Sequence, residues 1–296
     1  MLDSCTMCPR NCKVNRNIGN IGFCRSDRNV RVARAALHYW EEPCISGESG
    51  SGAVFFSGCA LGCVFCQNRN ISRGKSGKVV SVERLSEIFF ELKEKGANNI
   101  NLVTGDHYIP MISDAICRAR TNGFDLPFIF NCSGYEKKEQ IQMLDGLIDV
   151  YLPDMKYFSD KIAKSYSNAK DYFETAKIAI SEMYRQCPDI VFDDNDIIKR
   201  GVIVRHLVLP GCTDDSKKVI SYLYETYKDS IILSIMNQYT PVSGCRLPDE
   251  LGRMLTVEEY DEVVDFALSI GVENAYVQEE GTVSESFIPE FDNEGV

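Results

Sequence analysis

The stretch SGCALGCVFCQNRNIS, residues 57–72, decides how this chain is read, because Cys59, Cys63 and Cys66 stand in it at the spacing C-x3-C-x2-C. Three thiols this close in sequence form a donor set and not a packing arrangement. The run before them, SGAVFFSG over 51–58, is short, apolar and aromatic and ends in glycine. It predicts a buried strand that delivers the three cysteines onto a loop, and loops at strand ends are where sites are built. Three thiolates on one tight loop suit an iron–sulfur cluster, whereas a structural zinc or a fully protein-ligated cubane asks for four. An iron left without a protein ligand can bind a substrate or cofactor directly, which turns the cluster from an electron carrier into a reaction centre.

Outward from this loop, the chain alternates short β-rich apolar runs with longer helical patterns, the signature of βα units on a parallel sheet. Strands are expected at 51–58, 99–104, 126–130, 148–152, 201–209 and 230–236. The first helix, over 82–96, sets Leu85, Ile88, Phe89 and Leu92 on one face, with Ser81 as its cap and Gly96 as its stop. Further helices are expected over 111–122, around 141–147, and over 172–186 and 215–227, with the acidic PDIVFDDND after the fourth read as a surface turn. Six such units predict an α/β fold, a partial (β/α)6 TIM-like barrel with a cysteine-rich N-terminal cap. A C-terminal helix opened by the capping box Thr256-x-x-Glu259 and a short strand at 275–277 follow.

If the strands are parallel, the loops after them converge on one face. The second strand ends in Thr104, Gly105 and Asp106, the third in Asn131, Cys132, Ser133 and Gly134, and the fourth in Asp154 and Lys156, while the fifth carries Arg205. Each alone is a helix cap or a solvated charge as readily as a ligand. Together they offer both signs of charge, as a zwitterionic amino acid such as S-adenosylmethionine requires.

Cys59, Cys63, Phe65 and Cys66 resemble the C-x3-C-x-(aromatic)-C signature of the radical S-adenosylmethionine (radical SAM) superfamily. The order of cluster loop, TGD, NCSGY, YLPDMK and RHLVLPG is similar to that of the pyruvate formate-lyase activating enzymes and their relatives, over about residues 51–240. The resemblance implies that Cys59, Cys63 and Cys66 bind a [4Fe–4S] cluster and that Phe65 contacts the adenine of S-adenosylmethionine. It also implies that Thr104, Gly105 and Asp106 meet the methionine amino group and that Lys156 and Arg205 face its carboxylate. Asn131, Ser133 and Asp154 would line the ribose and amino acid, or a nearby cation. The implied activity is reductive cleavage of S-adenosylmethionine to a 5′-deoxyadenosyl radical that takes hydrogen from a substrate, with a flavodoxin- or ferredoxin-like protein as reductant. Two departures stand out: Thr104-Gly105-Asp106 replaces the family's usual Gly-Gly-Glu, and Asn131 replaces the aspartate usual in activases.

Residues 1–30 carry Cys5, Cys8, Cys12 and Cys24, a C-x2-C-x3-C-x11-C array with almost no apolar periodicity. A segment without a core of its own is plausibly organised by a metal, and four cysteines satisfy either zinc or a second [4Fe–4S] cluster. This array also departs from the activases, many of which carry a ferredoxin-like insert after the cluster loop. Cys44 is a nearby alternative ligand. The division expected is a metal-binding cap over 1–50, a barrel over 51–240 and an extension over 241–296, with the boundary at the glycine- and serine-rich SGESGSG.

Thirteen cysteines in 296 residues, in a chain whose N-terminus lacks the apolar core of a signal peptide, point to metal sites in a reducing cytoplasm and not to disulfides. Apart from the two clusters, Cys44, Cys117, Cys132, Cys187, Cys212 and Cys245 read as small buried hydrophobes. A net charge of −11 disfavours nucleic acid and anionic membranes as general partners, and no apolar run is long enough to span a bilayer. No side chain is required as an acid or base: Cys132 and Tyr239 read as cavity lining, and His38, His107 and His206 as ordinary hydrogen-bonded histidines. A polypeptide or a small molecule could each be the substrate, and the rival class is a non-catalytic electron carrier or zinc-binding module.

Overall fold

The computed structural model describes residues 1–242, 244, 247–278 and 288–296. Its strands are β1 (Val30–His38), β2 (Ser51–Phe56), β3 (Lys78–Val80), β4 (Ile100–Val103), β5 (Phe128–Cys132), β6 (Val150–Pro153), β7 (Val191–Phe192), β8 (Ile198–Leu207), β9 (Ile232–Met236) and β10 (Ala275–Val277). They form one sheet in the order β10-β9-β8-β6-β5-β4-β2-β1-β3, with β7 hairpinned onto β8. The pairs β2–β4, β4–β5, β5–β6, β6–β8, β8–β9 and β9–β10 are all parallel. The α/β partial barrel expected from the sequence is therefore present, with its six strands in sequence order and a seventh parallel strand added at one end.

These segments become strands because both faces are covered. Every residue of β2 is buried, and the pleat splits them by twos. Val54 and Phe56 join Leu102, Phe128 and Phe130 in the large core shared with the helices. Ala53 and Phe55 turn to the opposite face, where they meet Ile71, Val103 and Phe291. The helix Val82–Glu94 buries Leu85, Ile88, Phe89 and Leu92, and Ser81 accepts from the Arg84 N–H as its cap. The helix Tyr172–Gln186 begins and ends where its periodicity does, and the capping box at Thr256 and Glu259 is formed.

Three parts of the chain differ from the sequence reading. Residues 30–38, read as part of the metal-binding cap over 1–50, are the strand β1, which pairs antiparallel with β2 and carries a bulge between Val32 and Arg34. That bulge breaks the alternation by which the strand would have been recognised. Within the acidic segment read as a surface turn, Val191–Phe192 form a short exposed hairpin strand, β7, while the residues 193–196 that follow make the expected turn into β8. A further helix, Asp160–Ser167, follows the fourth barrel strand. The C-terminal residues also return to the sheet, with Ala35 N–H donating to Glu294 and Asn293 N–H to Ala33.

Three of the scattered cysteines also need comment. Cys117 is exposed, contrary to the buried role expected, and Cys245 lies outside the described residues. Cys44 is buried among Ile45, Ile129, Val150 and Leu152, in a core separate from the one that holds Cys5, so it is not an alternative ligand for the N-terminal array.

Candidate active site

The loops after the parallel strands enclose a cavity of about 260 Å³ at the carboxyl ends of β2, β4, β5, β6 and β8. Its wall includes Cys59, Cys63, Phe65 and Cys66 from the loop after β2, Thr104 after β4, and Asn131, Cys132 and Ser133 at the end of β5. Asp154, Lys156 and Arg205 complete it from β6 and β8. Cys59 and Arg205, 146 positions apart, thus line one space.

The cluster loop is held from several sides. Gly58, at φ 97°, begins it, and a Cβ there would lie 2.3 Å from Ser26 Oγ and 2.5 Å from the Cys24 carbonyl, so only glycine fits. Leu61 N–H donates to Cys59 Sγ at 3.3 Å and Ser167 Oγ to Cys63 Sγ at 3.0 Å. Burial first, and then the charges of Asp106, Cys63 and Cys66, push the Cys59 thiol well above its ordinary range. Burial and Cys63 act the same way on Cys66. A bound metal inverts that logic by stabilising the thiolates.

Phe65 is packed edge-on against Tyr157, Tyr166 and Tyr239, with ring centroids 6.5, 6.4 and 6.1 Å away, and lines the cavity. Tyr157 and Tyr166 come from the segment after β6 and have no sequence signal linking them to the cysteine loop. Lys156 Nζ lies 2.5 Å from Asp154 Oδ2. Burial works against the charge on Lys156, but Asp154 and the thiols of Cys63 and Cys66 outweigh it and hold the ammonium above its usual range.

Arg205 is in the wall, yet its guanidinium is engaged. Its Nε donates to Glu42 Oε1 at 2.8 Å and its Nη2 to Glu42 Oε2 at 2.6 Å, and Nη2 also meets Glu41. Burial would raise the Glu42 carboxyl, and the Arg205 charge and hydrogen bonds overcome it and hold it low. Neither glutamate was singled out in the sequence, where they lie more than 160 positions away.

Thr104 reaches the cavity with φ at 59°, whereas Gly105 and Asp106 are not among the residues that line it. Asp106 starts the turn Asp106–Tyr108, and its carboxylate is buried with neither oxygen hydrogen-bonded. Burial pushes it up to about 6. Glu136, a residue the sequence reading passed over, is likewise buried, and burial together with Asp106 pushes it up to about 8. Two histidines are structural and the third, His38, lines the cavity: His107 Nε2 meets the Ser57 carbonyl at 2.9 Å, and burial lowers it to about 3, while His206 Nδ1 meets the Met155 carbonyl at 2.7 Å.

The sequence profile of the radical SAM superfamily matches residues 53–223, more than half of the chain and all three cysteines of the loop. The chain belongs to the radical SAM superfamily. As a radical SAM protein it is an enzyme, and the family implies a [4Fe–4S] cluster and S-adenosylmethionine. The residues present fit that pair: three thiols and both signs of charge open on one cavity. A curated relative, the uncharacterized protein MJ0674 of Methanocaldococcus jannaschii, is 27% identical over 281 residues, covering 92% of this chain and 77% of that one. Among solved structures, Streptococcus suis SuiB is similar at TM-score 0.50 and 12% identity, over 78% of this chain and 48% of that one, which supports the fold. The FeFe-hydrogenase maturase HydG from Carboxydothermus hydrogenoformans is similar at TM-score 0.47 and 13% identity, over 71% of this chain and 49% of that one. The radical SAM chain described here spans about half the length of these solved structures.

Proposed function

We propose that this radical SAM enzyme abstracts a hydrogen atom from a polypeptide substrate, in the manner of a glycyl-radical activating enzyme, in the cavity behind Cys59, Cys63 and Cys66. When bound, the cluster and S-adenosylmethionine together supply a 5′-deoxyadenosyl radical. The protein's share is positioning and exclusion of water. Cys59, Cys63 and Cys66 hold the cluster, and Phe65, wedged among three tyrosines, presents a rigid aromatic face for the adenine. Asp154 and Lys156, already paired, can part to meet the amino and carboxylate groups of the cofactor, with Asn131, Ser133 and Thr104 beside them. Arg205 shapes the wall while its charge stays with Glu41 and Glu42. The observation that carries this reading is the single cavity that gathers the three signature thiols and the polar strand ends.

A low-potential, one-electron flavodoxin- or ferredoxin-like donor would supply the reducing equivalent. The four N-terminal cysteines are assigned a metal group of their own, with iron–sulfur or zinc as the two chemistries they suit. A small-molecule substrate is the second reading, and the modest volume of about 260 Å³ favours it.

The test is anaerobic reconstitution with iron and sulfide, followed by dithionite and S-adenosylmethionine. 5′-Deoxyadenosine should form and should vanish in Cys63→Ala; a fully loaded cluster that yields none would overturn the reading. Cell extract split by ultrafiltration separates the substrate classes: stimulation by the retained fraction supports a polypeptide, and stimulation by the filtrate alone a small molecule.

A further inference from the structure

We propose that the basic surface on the outer side of the cluster loop, around Phe23, Arg25, Arg73 and Lys75, is the docking site for an acidic one-electron carrier protein. This rests on the reading of the chain as a reductively driven radical SAM enzyme and gives the partner such an enzyme needs a place to bind.

The charge of the chain is unevenly spread. Acidic residues outnumber basic ones by 43 to 32, yet residues 10–25 and 57–75 hold seven basic side chains between them and no acidic one. Only Arg16 of the seven is buried. Among the described residues none of the seven stands in an ion pair, whereas Arg84, Lys93, Arg185 and Arg253 elsewhere on the surface all do. Asp3 and Asp27, the carboxylates nearest in sequence, accept from the side-chain amides of Asn17 and Asn29. Like charges left unpaired on one face repel one another, and a partner of the opposite sign relieves that repulsion.

The two segments meet to make one surface. Arg73 Nη2 donates to the Gly62 carbonyl at 3.1 Å, and a Cβ on Gly62 would lie 3.2 Å from Arg73 Nη1 and 3.3 Å from the Phe23 ring. A Cβ on Gly74 would lie 3.0 Å from that of Arg25, which sets Arg25 beside the neighbours of Gly74, Arg73 and Lys75. The Arg10 guanidinium stacks 4.0 Å over the Phe23 ring. Phe23, 37% exposed, and Ile21, 53% exposed, therefore offer an apolar centre within a cationic rim. That is the anatomy of a protein–protein contact. An extended polyanion such as nucleic acid would run past the patch onto a chain of net charge −11, whereas a compact acidic protein need touch the patch alone.

The position of the surface decides what the partner does there. Gly62 lies between Cys59 and Cys63, and Arg10 donates to the carbonyls of Ala60 and Leu61 in the same loop at 2.8 and 3.0 Å. The basic side chains thus grip the backbone that carries the signature thiols, yet none of the seven lines the cavity. A carrier seated here reaches the thiol loop from outside while the cavity stays free for cofactor and substrate. One electron passes from the carrier to the metal group on Cys59, Cys63 and Cys66. The carrier is oxidised by one unit, that group is reduced by one, and no bond or proton moves.

Contacts of electron carriers are small and brief, so such a surface has to steer more than to hold. An exposed field of one sign speeds association by roughly 10- to 1,000-fold, and salt screens it.

The experiment uses the full chain, reconstituted anaerobically with iron and sulfide, and an acidic flavodoxin as the probe. Binding of oxidised flavodoxin is read by titration calorimetry, and reduction of the iron–sulfur absorbance by photoreduced flavodoxin is read by stopped flow. In the wild type both should weaken as salt rises. In Arg25→Glu/Lys75→Glu both should fall about tenfold or more at low salt, with most of the salt dependence gone. The amount of 5′-deoxyadenosine formed with excess dithionite should match the wild type, since a small reductant needs no docking site. Wild-type affinity in the double variant, or wild-type binding that ignores salt, would overturn the proposal. So would retention of a duplex oligonucleotide at physiological salt in place of flavodoxin. Should the double variant not fold, amide hydrogen exchange in the wild-type complex decides: slowing over 10–25 and 57–75 supports the surface, and slowing only elsewhere overturns it. Flavodoxin that binds here while neither reductant yields 5′-deoxyadenosine would uphold the surface and sink the radical reading. Dithionite-driven 5′-deoxyadenosine without flavodoxin binding would do the reverse.

Discussion

The main-chain N–H of Cys59 donates to the carbonyl of Cys24 at 3.3 Å, so the first cysteine of the cluster loop hangs from the last cysteine of the N-terminal array. Gly58 makes that approach possible, and Arg10 and Arg16 secure it from either side. Arg16, fully buried, donates to the His107 carbonyl at 2.8 Å and so reaches the turn after β4. The N-terminal segment is a structural part of the active site and not an appendage beside it.

Replacing Arg10 tests that connection. Its guanidinium donates to Ala60, Leu61, Ser167 and Asn168 and stacks 4.0 Å over the Phe23 ring. A lysine has one point of attachment where the planar fork has several. Arg10→Lys should lower the unfolding free energy by about 1–3 kcal/mol and speed loss of iron from the loaded protein, read by urea titration and by bleaching of the cluster absorbance. Unchanged iron retention would separate the clamp from the cluster loop.

Gly58→Ala is expected to be worse than a change of one methyl suggests. The new Cβ would sit 2.3 Å from Ser26 Oγ and 2.5 Å from the Cys24 carbonyl, on backbone already at φ 97°. We expect a loss of about 2 kcal/mol or more. Gly96→Ala, with positive φ but no atom within 4 Å of the added carbon, is the control that carries strain without the clash. Equal losses in thermal unfolding would remove the Cys24 contact as the cause.

Arg205→Ala should damage the fold before it says anything about cofactor binding. It would leave Glu41 and Glu42, each with 6% of its side chain exposed, facing one another without their cation. Breaking a buried ion pair from one side costs about 3–5 kcal/mol. The triple change Arg205→Met, Glu41→Gln, Glu42→Gln should recover most of that. Full stability in Arg205→Ala alone would show that the guanidinium is free for a ligand.

Acid should loosen the junction between the C-terminal helix and the barrel. Glu259 accepts from the Gly211 N–H at 2.8 Å and pairs with Arg253, and the Arg253 hydrogen bond, against partial burial, lowers its carboxyl from 4.5 to about 2. A carboxyl lowered by folding stabilises the fold above its unfolded value. That contribution should be whole above about pH 4.5 and fade as the pH falls towards 2. Glu259→Gln should flatten the stability profile of the metal-free chain in that window, and an unaltered slope in urea titrations would count against it.

The barrel strands were legible because each is short, apolar and separated from the next by a helix with one greasy face. Strand β1 was not, since its bulge interrupts the alternation and the partners that make it a strand, β2 and the C-terminal residues, lie elsewhere in the chain. The helix Asp160–Ser167 escaped for a related reason: DKIAKSYS is mostly polar, and Ala163, Tyr166 and Ser167 become buried only against the cluster loop and its surroundings. Among the site residues, loop position foretold that Thr104, Asn131, Ser133, Asp154, Lys156 and Arg205 would share a cavity, and they do. It did not foretell which way Asp106 points, nor that Glu41 and Glu42 occupy Arg205.

The sequence by itself determined the local chemistry: the three thiols at cluster spacing, the order of strands and helices, and the caps that start and stop them, since each depends on residues within a few positions of one another. Tertiary structure alone decided how charges are paired and which groups are deprived of water. Arg205 meets glutamates more than 160 positions away, and Asp106 is buried outside the cavity wall with neither carboxylate oxygen hydrogen-bonded. Coulomb energy and desolvation depend on distance in space, and for these residues that distance is set by how the sheet closes.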